Sequence, residues 1–395
     1  MRKKVLLSIV LIFVFNCTLL AENKDDSTKV KKRYISLKAF YQGGTVLQTN
    51  DFLQGENSTG EPINRFHALS AQCNWDTDGS KLWQQLYNYP SYGLGVYWVR
   101  FPQTDELGNP TALYLFFSGP FKRWNKWTFN YDIGFGLTYN WKPYNVEENP
   151  FNVAIGSYNT VYIDAGLSIN WMVAKRWELS LGYSFTHFSN GATAVPNFGV
   201  NLVAPRLGVK YKFYQGIPEY KKQEIPKYKD AWEWYASFAG GVKQIEVDTT
   251  NTGLTDKYLD ENFGIAVIST AIMRQISYKS KFGLGIDFNY DGSTNAQVDV
   301  SDGVPNEVSV PFLDKCSIGI YGSYELVMNK ISLAIHPGYY IARKDIEGQS
   351  PDFYQRIGLK YNFWDGMFAA IFVRASNFSK AEFIEWTLGY RLRWY

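Results

Sequence analysis

The chain has no apolar run long enough to cross a bilayer as a helix. The longest, Val5 to Phe15, falls well short of the roughly 20 residues a spanning helix needs. It also lacks a charge of one sign. The 40 Lys and Arg stand against 37 Asp and Glu, a net +3, which removes the electrostatic case for nucleic acid as a partner. Cysteines number only three, Cys17, Cys73 and Cys316. None has a zinc-like spacing, and Cys73 and Cys316 lie in different halves and read as unpaired. Histidines are as few, His67, His187 and His336, so imidazole chemistry has three places to sit. Aromatics are abundant instead: 29 Tyr, 27 Phe and 13 Trp make up 17% of the chain.

The N-terminus reads Arg2-Lys3-Lys4, the apolar run, then Thr18-Leu19-Leu20-Ala21. That is the pattern of a secretory signal peptide over residues 1–21, with cleavage after Ala21. Phe15 and Asn16 ahead of Cys17 are not the small residues of a lipoprotein site. A secreted, aromatic chain without helical spans points to the Gram-negative outer membrane, where a closed β-barrel satisfies every backbone polar group.

Strand signals bear this out from about residue 34. Trp127, Phe129, Tyr131, Ile133, Phe135, Leu137, Tyr139 and Trp141 alternate with small or polar residues. Period two over that length, with aromatics at both ends, suits a strand with lipid on one face and a polar lumen on the other. Val161 to Trp171 repeats it. Further strands are expected near 34–47, 64–75, 92–101, 111–119, 176–190 and 198–213. Long links alternate with short ones, as in barrels; the 76–91 link is the exception and reads as an excursion or a misplaced strand.

Residues 214–231 carry two prolines, several lysines and no apolar period, and read as a periplasmic linker. A second set of about eight strands follows over 232–395. The two halves end alike, Leu207-Gly208-Val209-Lys210-Tyr211-Lys212-Phe213 and Leu388-Gly389-Tyr390-Arg391-Leu392-Arg393-Trp394, as a duplicated unit would. The expected architecture is therefore an all-β, antiparallel up-and-down transmembrane protein of two eight-stranded barrels, 33–213 and 232–395. One barrel of about sixteen strands, wide enough for a pore, is the alternative.

One stretch carries chemistry: His187-Phe188-Ser189-Asn190-Gly191-Ala192, followed by Pro196-Asn197-Phe198-Gly199-Val200-Asn201. His187 and Ser189 continue the apolar series Trp177, Leu179, Leu181, Tyr183 and Phe185, so alternation directs them to the lipid side at the outer end of a strand. Asn201 shares the parity of Val203, Pro205 and Leu207 on the next strand. Polar groups facing lipid are costly, which favours a functional reason. A serine hydroxyl needs a base within reach to become a nucleophile, and residues two apart on a strand are about 6.6–6.8 Å apart along it. Asn201 can hold the other imidazole nitrogen, and Asn190, Asn197 or backbone amides of the glycine-rich turn can supply oxyanion donors. His67 and His336 have no such neighbours and read as ordinary barrel residues. A bare His-x-Ser is also what a polar hairpin tip contains.

On His187-Phe188-Ser189-Asn190 and Asn197-Phe198-Gly199, residues 34–213 resemble the lipid A 3-O-deacylases, also called acyloxyacyl hydrolases. The resemblance implies an eight-stranded outer-membrane barrel that removes the ester-linked acyl chain at the 3-position of lipid A. It implies His187 as base, Ser189 as nucleophile and Asn197 as oxyanion donor, helped by a backbone amide near Gly191 or Ala192, with no metal and no cofactor. The third member in that family is a glutamate on strand eight; here the position is Asn201. Asparagine can orient the imidazole but cannot neutralise its charge. Glu147 and Glu148 are alternative acids on an outer loop.

The second half carries Asn377-Phe378-Ser379-Lys380-Ala381 where the first has His187-Phe188-Ser189-Asn190-Gly191. Without the histidine it is expected to be silent; Glu382 falls at the Asn201 position. The reading is an outer-membrane esterase, with lipid A or lipopolysaccharide of the outer leaflet as partner and a second copy of the chain as a further candidate partner. The rivals are a porin or structural barrel with a decayed site, and a phospholipase.

Overall fold

The computed structural model describes residues 34–395 apart from 249, 306–308, 348, 378 and 379; the signal-peptide reading and Phe378-Ser379 lie outside the described residues. Sixteen strands form two closed antiparallel barrels. In the first, β1 (Ile35–Leu47), β2 (Arg65–Asp76), β3 (Ser91–Arg100), β4 (Gly108–Arg123), β5 (Trp127–Trp141), β6 (Thr160–Met172), β7 (Trp177–Ser189) and β8 (Val200–Lys212) pair in order, and β8 closes on β1. In the second, β9 (Ala231–Lys243), β10 (Phe263–Gln275), β11 (Ser280–Asp291), β12 (Cys316–Met328), β13 (Ile331–Ala342), β14 (Phe353–Asn362), β15 (Met367–Ser376) and β16 (Lys380–Trp394) do the same, and β16 closes on β9. A single sixteen-stranded barrel is thereby excluded. By contacts the chain divides into one unit of Met1–Asn190 with Phe198–Ile225 and another of Gly191–Asn197 with Pro226–Tyr395.

Alternation gives each strand of the first barrel an outer apolar face. On β7, Trp177, Leu179, Leu181, Tyr183 and Phe185 are exposed, while Ser180, Ser184, Thr186 and Phe188 are buried. The lumen is polar only in part. Toward one end it is ionic: Arg206 on β8 donates twice to the Asp164 carboxylate at 2.8 Å, and Lys210 reaches Asp76 at 2.6 Å. Toward the other it is filled by Tyr97, Tyr114, Tyr162 and Phe188.

That second end is closed by the long links. The β1–β2 link carries α1 (Asp51–Gln54), whose Phe52 and Leu53 are fully buried with Ile63. The β3–β4 link contributes Phe101 and Leu107, and the β5–β6 link Ala154 and Ile155, to the same cluster. Trp141 joins it. Alternation predicts Trp141 on the lipid face, but Asn140 is left-handed (φ 71°), which breaks the period and turns the indole inward, 2% exposed, with Nε1 donating to Thr138 Oγ1 at 2.8 Å.

The long β2–β3 link is an excursion, with helix α2 (Leu82–Leu86) inside it. Part of 214–231 lies against it: Tyr220 packs on Tyr89, ring centroids 4.2 Å apart, and Lys221 N donates to Asp78 O at 2.8 Å. Cys316 is a free thiol as expected; Cys73 is not, being disulfide-bonded.

The second barrel has a charged interior. Asp287, Glu385, Arg356 and Arg374 form one network, and Glu233, Lys281, Glu325 and Lys360 another. Glu233 also meets Arg391 and Arg393. Buried charges persist only when paired. His336 sits in this interior, 3% exposed, stacked on Tyr321.

Candidate active site

Phe188 sets the geometry. Its ring is fully buried in the cap, 5.2 Å from Trp141 and 5.7 Å from Tyr162 between centroids. Successive side chains on a strand point to opposite faces, so anchoring Phe188 inward turns His187 and Ser189 outward. His187 is half-buried. Ser189, the last residue of β7, is covered to 8% exposure rather than open to lipid.

His187 and Asn201 are register partners across β7 and β8. The side chains meet, with His187 Nδ1 2.7 Å from Asn201 Oδ1. An amide oxygen only accepts, so this contact requires the proton on Nδ1 and leaves a lone pair on Nε2. On its other side, Asn201 Nδ2 donates to Thr49 Oγ1 at 3.4 Å.

Gly199 walls the imidazole. It is left-handed (φ 77°), and a Cβ built there would stand 3.1 Å from His187 Cε1 and 2.9 Å from the Phe188 carbonyl oxygen. Its own amide donates to Ala154 O at 2.9 Å, and its carbonyl accepts from Asn50 Nδ2 at 3.3 Å. Asn190 donates from Nδ2 to Ser157 Oγ at 3.1 Å. The links β1–β2 and β5–β6 thus hold the residues flanking the His–Asn pair.

Gly191, Ala192 and Asn197 lie on the β7–β8 connection, where Gly191 and Ala192 are consecutive left-handed residues (φ 66° and 58°). The segment Gly191–Asn197 groups with the second unit, so within the first unit the candidate residues are His187, Ser189, Asn190 and Asn201. Glu147 and Glu148 are exposed, and their amides donate to Asn145 Oδ1 at 2.9 and 2.8 Å; they stabilise their own loop. His67, read as solitary, pairs through Nδ1 with Tyr41 OH at 2.6 Å on an exposed face. Among the described residues no cluster of His, Cys, Asp and Glu is arranged for a metal.

Thr49, Asn50 and the seating role of Gly199 were not legible in the sequence. Thr49 and Asn50 lie some 150 residues from Asn201, and only barrel closure of β8 on β1, where Leu47 pairs with Asn201, brings them together.

The corresponding hairpin of the second barrel is built differently. β15 ends at Ser376 and β16 begins at Lys380, so only 377–379 connect them, against 190–199 between β7 and β8. Asn377, at the position of His187, is left-handed (φ 49°) in the turn itself. It lies beyond the last strand pair, Ser376 with Lys380.

Residues 67–210 match the family model described as lipid A 3-O-deacylase (PagL), and residues 232–394 match that of the acyloxyacyl hydrolase C-terminal domain. No curated protein matches the chain. Among solved structures, Neisserial surface protein A aligns at 9% identity over 45% of this chain and 96% of its own, with a TM-score of 0.29. A mutant of the Rh. blastica porin aligns at 8% identity over 91% of this chain and 100% of its own, with a TM-score of 0.18.

Proposed function

Because the chain belongs to the lipid A 3-O-deacylase family of outer-membrane β-barrels, we propose that it is a serine esterase that removes the acyl chain ester-linked at the 3-position of lipid A. The observation that carries this reading is the 2.7 Å contact of His187 Nδ1 with Asn201 on the outward side of β7 and β8, two residues before Ser189. A lipid in the outer leaflet meets that side of the barrel without leaving the membrane.

In the proposed reaction, His187 Nε2 takes the Ser189 hydroxyl proton as Oγ adds to the ester carbonyl carbon. The tetrahedral oxyanion is stabilised by donors drawn from Asn197, Asn190 and the amides of Gly191 and Ala192. The carbon–oxygen bond to the sugar then breaks, and the sugar oxygen leaves with the proton from His187. Water, deprotonated by the same imidazole, releases the fatty acid and restores Ser189. Asn201 keeps Nδ1 protonated so that Nε2 remains basic. In this reading residues 1–21 are removed on export, 33–213 form the catalytic barrel, 214–231 are a periplasmic linker, and 232–395 are a repeat without chemistry of its own.

The test is lipid A mass spectrometry on outer membranes that contain the wild-type chain or Ser189→Ala. Wild type is expected to yield lipid A lighter by one 3-linked acyl chain, and Ser189→Ala intact lipid A. An identical lipid A spectrum from both removes the deacylase reading. Loss of acyl chains from glycerophospholipids in the wild type alone moves the substrate to that class.

A further inference from the structure

Strand register determines which wall residues stand beneath the site. Followed round the first barrel from Leu47, cross-strand partners run through Asn201, His187, Ile163, Phe135, Leu115, Leu94 and Cys73 and return to β1 at Leu37, ten residues below the start. Down here means away from the end that holds Ser189. A ring of eight strands with that stagger tilts its strands by about 40° to the barrel axis. The step from β7 to a partner on β6 therefore moves sideways and down, and two further residues down β6 undo the sideways part. From His187 these steps lead through Ile163 to Ala165, about 8 Å beneath it along the axis. From Ser189 they lead through Val161 to Ile163.

Ala165 is exposed on the outward face. Residues two apart on a strand and direct cross-strand partners share a face, so its outward neighbours are Ile163 and Leu167 on β6, Phe185 on β7 and Ile133 on β5. All four are large. Among the described residues of β5 to β8, no other outward position between the strand ends is as small. The apolar wall is thus dented at one place on these four strands, and that place lies directly under the imidazole.

Lipid tails are as apolar as this wall, so buried area alone does not sort them. Shape does, because dispersion contacts require close approach. Ile163 stands beneath Ser189, so a chain that leaves an ester there toward the bilayer centre approaches the wall most closely beside Ile163, over Ala165. We propose that Ala165 is the floor of an acyl-chain subsite: the chain of the ester under attack runs down the barrel wall over Ala165, with Ile163 and Ile133 on one side and Phe185 and Leu167 on the other. A short chain ends above the dent and a long one crosses it, so the subsite favours long-chain esters. The assignment rests on the esterase reading of His187 and Ser189 above.

Two measurements on the full-length protein test it. The first is hydrolysis of para-nitrophenyl butanoate and para-nitrophenyl dodecanoate in detergent micelles by wild type, Ala165→Leu and Ala39→Leu, each checked for folding by heat-modifiable migration. Ala39 is also an exposed, outward alanine, but on β1 between Ala71 and Val209. Ala165→Leu is expected to lower kcat/KM for the dodecanoate about three- to tenfold, the worth of a handful of dispersion contacts. Its rate on the butanoate, and both rates of Ala39→Leu, are expected to stay at the wild-type values. The second measurement needs no turnover. The Ser189→Ala chain is placed in vesicles with lipid A whose 3-linked acyl chain carries a diazirine at mid-chain, and photo-crosslinked peptides are mapped by mass spectrometry. Crosslinks are expected to centre on β6 and β7 around Ala165.

An unchanged dodecanoate rate in Ala165→Leu overturns the proposal. So does an equal loss on both esters, which marks a general packing effect, and so do crosslinks spread evenly round the barrel. Crosslinks centred on Ala165, with neither ester hydrolysed by the wild type, leave the acyl-chain subsite in place and remove the esterase reading.

Discussion

Replacing Asn201 with Asp tests what the third member contributes. In the wild type, His187 Nδ1 lies 2.7 Å from a neutral oxygen. In the proposed reaction Nε2 takes the serine proton, the ring becomes cationic, and Asn201 offers it only a dipole. Aspartate keeps the side-chain length and places a negative charge in the same position. Two unit charges about 4 Å apart at an effective dielectric of about 20 attract by about 4 kcal/mol. Desolvation of the carboxylate beside a half-buried ring takes back part of this, and carboxylate neighbours typically favour a charged partner by about 1–3 pK units. About 1–3 kcal/mol of this is expected to appear in the transition state, a rise in kcat of about fivefold to 150-fold. The sign for pH follows. The carboxylate favours the imidazolium, so the free base appears only at higher pH, and the acid limb of the kcat profile moves upward. The assay is initial rates of ester release from lipid A in mixed micelles, over pH, for wild type, Asn201→Asp and Asn201→Leu, each checked for folding by heat-modifiable migration. Asn201→Leu is expected to be slower than both. If Asn201→Asp is folded yet no faster, with an unmoved acid limb, Asn201 is not coupled to the base and the assignment of its role fails.

Two other outcomes follow from the same geometry. Gly199→Ala forces a Cβ to within 3.1 Å of His187 Cε1 in a left-handed backbone (φ 77°), where a non-glycine residue costs about 1–2 kcal/mol; kcat is expected to fall about tenfold or more while the barrel still migrates as folded, and unchanged kinetics refute the seat. Asp164→Asn leaves the buried Arg206 guanidinium without its bidentate partner and is expected to destabilise the first barrel by about 3–5 kcal/mol, read as a lower denaturant midpoint. Because Asp164 faces the lumen, kcat of the folded fraction stays at the wild-type value.

Strand alternation is a local property, and so much of this protein was open to reading in one dimension. The period-two series on β5 and β7 located strands within a few residues and assigned faces, because side-chain direction on a pleated strand follows parity alone. The matching ends at Phe213 and Trp394 announced a repeat. His187, Ser189 and Asn201 stood out because they interrupt an apolar series, and parity alone placed His187 and Asn201 on one side. The same rule failed at Trp141, where the left-handed Asn140 shifts the phase, a backbone choice that asparagine permits but does not dictate. Nor did it show that Ser189 is covered, because burial at a strand's end depends on what the loops do.

What the tertiary structure decided was closure and proximity. Two closed rings rather than one is settled by which strand β8 pairs with, and β1 and β9 both offer a free edge with the same hydrogen-bonding groups. Pairing with β1 brings Leu47, Thr49 and Asn50 beside Asn201 and Gly199 from the far end of the first barrel's sequence. In the second hairpin, by contrast, Asn377 is left-handed and lies beyond the last strand pair, so a side chain at that position does not stand across from a partner as His187 stands across from Asn201. Composition and parity thus determined that this chain is a membrane barrel with a polar triplet on its outer wall. Only the closed ring determined which neighbours hold that triplet, because those contacts join residues that no local pattern links.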